Sequence, residues 1–271
     1  MKKLLSVLSA TALVGTSSIS VVSCNMKNWN QFSDWIKNED SFVLYLGAKD
    51  CEYCNKFEDD LANLKDIKGE DFVANKFDSL IKEYKNTLSI EGDNISKDEI
   101  SGYGDAIKSD KIDFREYVIN EKKDNFNEKW SKKLWKWVID QGIDIYLKVA
   151  FKDYQEDYDS FYKKFKAIAK EKVTNYFNGS DIKATPMFLV IRNGKLVSWV
   201  NGYNSNPSET AVSGLNSWYE QIRIDFLNAT VSKSNYTKIN TSSKTDEESE
   251  EKSSMVSYDK INLNKYSNYI K

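Results

Sequence analysis

The stretch Phe42-Val43-Leu44-Tyr45-Leu46-Gly47-Ala48-Lys49-Asp50-Cys51-Glu52-Tyr53-Cys54 decides how the rest of the chain is read. Phe42 to Leu46 is a short, continuous apolar run. It suits a strand buried in a parallel or mixed sheet. A short turn follows and delivers Cys51. Beyond it, Cys54, Phe57, Leu61 and Leu64 share one helical face. The segment reads strand, turn, Cys-x-x-Cys, helix.

That placement has a chemical purpose. The first sulfur sits near unsatisfied N–H groups and the positive end of the helix dipole, which favours thiolate, the reactive form. The second sulfur lies close enough to resolve a mixed disulfide. Taken alone, the pair is also compatible with half of a zinc site, a structural disulfide or coincidence.

Upstream, Trp29, Phe32, Trp35 and Ile36 predict a helix from Asn28 to Lys37, with Asn28 as its cap. Before it, Lys2 and Lys3 precede an apolar stretch from Leu4 to about Val14, and small residues lead to Ser23. Residues 1–23 read as a signal peptide, too short to span a membrane. Val21-Val22-Ser23-Cys24 resembles a bacterial lipobox. The resemblance implies cleavage before Cys24 and a diacylglycerol on its sulfur, with 24–27 as a lipidated anchor; two acyl chains anchor stably where one is marginal. The alternative is an ordinary signal peptide followed by an unrelated cysteine. The expected location is the extracytoplasmic face of the cell membrane, where disulfides persist.

Downstream, residues 66–142 read as a helical insertion. Phe72, Phe77, Leu80, Ile81 and Tyr84 predict one helix there. Phe126, Trp130, Leu134, Trp137 and Val138 predict another that ends near Gly142. Trp130, Trp135 and Trp137 read as packing residues rather than a ligand surface. Ile143, Tyr146, Leu147, Val149 and Phe151 predict a strand. Phe161, Phe165, Ile168, Ala169 and Val173 predict a further helix. Met187–Ile191 and Leu196–Val200 read as strands joined by an Asn193-Gly194 hairpin turn. Leu215, Trp218, Tyr219 and Ile222 predict a last helix, running to about Leu227. Residues 228–271, rich in Ser, Thr, Asn, Lys and Glu, read as a disordered polar tail.

Composition narrows the chemistry. The chain has 271 residues, a net charge of −2 and no stripe of Lys and Arg, so nothing points to nucleic acid. There is no histidine, which excludes His-based acid–base catalysis, catalytic triads and His metal sites. The three cysteines, Cys24, Cys51 and Cys54, carry what special chemistry remains. No metal and no organic cofactor is implied.

Ala184-Thr185-Pro186 precedes the Met187 strand, and Gly202 follows the second strand. Together with Cys51 and Cys54 this resembles the thioredoxin family over about residues 28–65 and 143–227. The resemblance implies an α/β, thioredoxin-like fold spanning 28–227, with the helical insertion between the CxxC helix and the later strands. It implies a cis Pro186 beside the cysteines, with Thr185 and Pro186 lining the place where a substrate chain lies. It implies an exposed nucleophile at Cys51, a buried resolving thiol at Cys54, and protein thiols or disulfides as substrates. No motif specifies the substrates or the redox partner.

Departures from the family are equally visible. Glu52-Tyr53 replaces Gly-Pro between the cysteines, and Asp50 replaces the preceding Trp. Tyr45 stands where thioredoxins carry a buried acid, so the usual proton acceptor for the resolving thiol is missing; water or Glu52 could substitute. Asp50 and Glu52 both disfavour a nearby thiolate, which favours the disulfide and hence a reductant over a strong oxidant. The expected activity is a membrane-anchored thiol–disulfide oxidoreductase. The alternative is a surface lipoprotein using the same scaffold as a binding module, with the disulfide as a staple.

Overall fold

The computed structural model describes residues 26–68, 72–90, 107–119, 126–150, 158–203, 210–227 and 231–241. Cys24 and the signal segment lie outside the described residues, as do Phe151 and the stretch 242–271. In chain order the elements are α1 (Lys27–Lys37), β1 (Phe42–Ala48), α2 (Glu52–Lys68), α3 (Phe72–Ile90), β2 (Asp113–Ile119), α4 (Lys129–Ala150), α5 (Tyr158–Asn178), β3 (Met187–Arg192), β4 (Lys195–Asn201), α6 (Ala211–Leu227) and α7 (Val231–Thr241).

The four strands form one mixed sheet in the order β2-β1-β3-β4. β1 runs parallel to β2 and antiparallel to β3, and β3 pairs antiparallel with β4. All seven residues of β1 are buried, as a central strand covered on both faces requires. Its alternate side chains serve two layers. Tyr45 meets Phe57 of α2, and across the β1–β2 pair Phe114 meets Trp218 of α6. On the opposite face Phe42 meets Phe32 and Trp35 of α1, and Tyr117 meets Trp130 of α4. The sheet is thus sandwiched between α2, α3 and α6 on one side and α1, α4, α5 and α7 on the other.

The β3–β4 hairpin closes through Asn193 and Gly194, both at positive φ (50° and 71°), as a two-residue turn matched to strand twist needs. The turn is pressed against the end of α1. A Cβ on Gly194 would come within 2.4 Å of the Ile36 carbonyl oxygen, and the Gly194 N–H donates to the Asp40 carbonyl. Only glycine fits there.

Five expectations are corrected. First, Met26 precedes the first turn of α1 and Asn28 lies inside the helix, so Asn28 is not its cap. Second, the interval 66–142 is not wholly helical: it contains β2, the parallel partner of β1. Third, α4 does not end near Gly142. It runs to Ala150, so Ile143, Tyr146, Leu147 and Val149 are helical rather than a strand. Gly142 is needed because α5 crosses there; a Cβ would come within 2.6 Å of the Phe177 ring. Fourth, the stretch after Leu227 is not all polar tail, because Val231–Thr241 is a helix. Ile239 and Asn235 of α7 are fully buried, and the Asn235 side-chain amide donates to the Val197 carbonyl of β4 at 2.7 Å. Fifth, Cys51 is not exposed, as the site geometry below explains.

Candidate functional site

β1 ends at Ala48, and its direction fixes where the cysteines stand. The Cys51 N–H donates to the Ala48 carbonyl at 3.1 Å, tying the turn to the strand. The Cys51 carbonyl then accepts the first helical bond of α2, from the Asn55 N–H at 2.9 Å. Cys51 is therefore the N-cap of α2. Its sulfur plays the part a Ser or Asp oxygen would play, accepting the Cys54 N–H at 3.3 Å. This is the electrostatic setting that favours negative charge on Cys51 once the pair is reduced.

Cys51 and Cys54 form a disulfide, with Cα atoms 5.1 Å apart. Both residues are fully buried. The expected exposure of Cys51 is thus overturned, because a capping sulfur is tucked against the helix end rather than turned outward. Tyr53, between them, is 58% exposed and marks the outer side of the turn. Asp50 and Glu52 are both exposed beside Cys51.

The second half of the site arrives from far along the chain. The Thr185–Pro186 peptide bond is cis. The Thr185 carbonyl oxygen lies 3.3 Å from the Cys51 sulfur. Pro186 is anchored in turn, since its carbonyl accepts the Gly202 N–H at 2.8 Å, with Gly202 at φ 77°. The structure therefore brings Cys51, Cys54, Thr185 and Pro186 together, as the sequence implied.

Sequence reasoning missed a buried polar link under this site. Asp60, on the third turn of α2, is fully buried and accepts a hydrogen bond from the Tyr203 hydroxyl at 2.8 Å. Lys56 completes its pairing, one helical turn away. Tyr203 directly follows Gly202, so this bond ties the CxxC helix to the segment that holds Pro186. The signal was present: Asp60 falls at helical spacing after Cys54 and Phe57 on the buried face.

A second missed contact involves Tyr45. Its hydroxyl donates to Glu58 Oε1 at 2.8 Å, reaching from β1 to α2. Burial, then the hydrogen bond and charge of Glu58, push Tyr45 far above the usual phenol range. Tyr45 thus remains a donor, and cannot itself stand in for the buried acid as a base.

Among the described residues no group of three or more Cys, Asp or Glu side chains is arranged to hold a metal ion. No helix among them is long and apolar enough to cross a membrane. Residues 30–212 match the model of a family described as a thioredoxin-like domain. No curated protein and no solved structure matches the chain.

Proposed function

The chain belongs to the thioredoxin-like domain family, and from that premise we propose that it is a thiol–disulfide oxidoreductase acting on protein thiols or disulfides. The observation that carries this reading is the Cys51–Cys54 disulfide at the start of α2 with the Thr185 carbonyl beside it. In the reducing direction the Cys51 thiolate attacks a substrate disulfide, and a mixed disulfide forms. Cys54 then displaces the substrate sulfur and restores the Cys51–Cys54 bond. The exposed carboxylates of Asp50 and Glu52 disfavour a neighbouring thiolate, so the couple leans toward reductant. Because Cys51 is buried, its attack requires local displacement of the chain that covers it.

We infer that this activity works at the extracytoplasmic face of the cell membrane, with Cys24 as the lipidated anchor. The anchor rests on the Val21-Val22-Ser23-Cys24 motif after a basic and apolar leader. A Cys24→Ser protein released to the medium or left unprocessed supports the anchor. One still processed and membrane-bound as before contradicts it.

Complete burial of both cysteines favours a second reading, in which the disulfide staples the start of α2 and the scaffold serves as a binding module. Insulin reduction separates the two, using the parent with Cys51→Ser and Cys54→Ser variants. The oxidoreductase reading expects turnover by the parent, loss in both variants, and a trapped mixed disulfide on Cys51 in Cys54→Ser. Equal behaviour of all three proteins selects the staple.

A further inference from the structure

We propose that Glu58, held in place by the Tyr45 hydroxyl, is the proton acceptor for the resolving thiol of Cys54; this rests on the oxidoreductase reading above. The need is chemical. A thiol with an ordinary pKa of about 8.5 is mostly protonated at neutral pH, and only the thiolate attacks. Tyr45 occupies the strand position where an acid was expected, so the acceptor must come from elsewhere.

The geometry supplies one. Tyr45 is fully buried, with its ring packed on Phe57 and Phe188 at centroid separations of 5.2 and 5.3 Å. The ring lies across Gly47, where an added Cβ would come within 2.4 Å of the hydroxyl oxygen. Closed in this way, the hydroxyl reaches α2 and donates to Glu58 Oε1 at 2.8 Å. The charged groups facing that hydroxyl are Glu58 from α2 and Glu116 from β2.

Glu58 lies four residues after Cys54, so the two are neighbours on one helix face, with Cβ atoms about 5–6 Å apart. Helical side chains lean toward the helix N-terminus, which carries the Glu58 carboxylate back over the turn that bears Cys54. Glu58 is exposed while Cys54 is buried, and the part-buried Tyr45 bond draws the Glu58 carboxylate toward the strand. Glu52 cannot do this: residues two apart on a helix point to different sides.

The step balances. With substrate sulfur bonded to Cys51, the Cys54 thiol passes its proton to the Glu58 carboxylate. The Cys54 sulfur attacks the Cys51 sulfur, the Cys51–substrate bond breaks, and the Cys51–Cys54 bond forms. The substrate sulfur leaves with the electron pair and takes a proton from Glu58 or water. The protein dithiol gives up two electrons and the substrate disulfide gains them.

The test mixes the reduced full chain with glutathione disulfide between pH 5.5 and 8.5. Acid quenching and mass spectrometry count the Cys51–glutathione adduct over time. Decay of the adduct in the parent should be nearly flat with pH. In Glu58→Gln, a surface change that keeps side-chain shape, decay near pH 6 should slow by about a hundredfold, the low end of what a positioned proton-transfer group contributes. It should then recover about tenfold per pH unit toward the thiol pKa. Glu58→Asp should partly rescue, and Tyr45→Phe should fall between parent and Glu58→Gln. Parent-like decay and pH profile in Glu58→Gln would overturn the role of Glu58 alone. Absence of any Cys51 adduct, in both the parent and Cys54→Ser, would overturn the oxidoreductase reading beneath it.

Discussion

The Thr185 carbonyl oxygen lies 3.3 Å from the Cys51 sulfur, joining residues 134 positions apart in the chain. The same sulfur accepts the Cys54 N–H at 3.3 Å. Cys51 is thus the sulfur with an N–H partner at a helix start, whereas Cys54 lies inside the helix. In the reduced protein Cys51 is therefore expected to be the more reactive thiol. Limited alkylation at neutral pH followed by peptide mapping should find the label first on Cys51. First labelling of Cys54 would contradict the assignment of nucleophile and resolving thiol.

Tyr203→Phe removes the hydroxyl that bonds buried Asp60 while keeping the ring on Phe57. Asp60 retains Lys56 but loses one buried partner. The expected cost is about 1–3 kcal/mol, the usual penalty for an unsatisfied buried group. Urea unfolding should show it as a lowered midpoint with an unchanged slope. An unchanged midpoint would mean that the Asp60–Tyr203 bond holds nothing together.

Ile239 tests whether α7 belongs to the folded unit. It is fully buried, and α7 packs on α4 and β4 beside it. Ile239→Ala should destabilise the protein by about 2–5 kcal/mol, as deletion of a core side chain does. A loose polar tail would give no effect.

Asp113 gives an acid-range prediction. Burial raises its pKa, but hydrogen bonds from Lys111 and Arg115 outweigh that and hold the carboxyl below its ordinary 3.8. The folded state thus binds this proton less tightly than the unfolded chain. Asp113 therefore contributes stability above about pH 3.8, and that contribution is lost as pH falls through its lower folded value. Asp113→Asn should be less stable than the parent at neutral pH, and the gap should close on acidification below about pH 3.8. A gap independent of pH would contradict the sign.

Much of this was legible because local chemistry repeated the global message. The Phe42–Leu46 run and Met187–Ile191 with its Asn193-Gly194 turn each carried a clear local signal, and the Cys pair gained its meaning from Pro186. β2 was missed for a physical reason. It is an edge strand, and its Asp113-Phe114-Arg115-Glu116 start looks polar although the Arg115 guanidinium lies over the rings of Trp35 and Phe42. The C-terminal half of α4 was misread as a strand because Ile143, Ile145, Tyr146 and Leu147 are all buried, which erases the polar stripe that marks a helix. α7 escaped notice because its inward face includes Asn235, a residue type that composition assigns to solvent. At the site, the meeting of Cys51, Cys54 and the cis Thr185–Pro186 bond was readable. The cross-element bonds Tyr45–Glu58 and Tyr203–Asp60 were not, since neither spacing nor composition says which side chains meet between a helix and the sheet beneath it.

The most direct test of the central claim is the reduction potential of the Cys51–Cys54 couple, measured by equilibration of the full chain with defined glutathione or dithiothreitol buffers. A reversible two-electron couple is expected at about −200 to −270 mV, the range of thiol–disulfide catalysts that work as reductants. A potential below about −300 mV, where structural disulfides lie, would contradict it, and one near −120 mV would contradict its reducing direction.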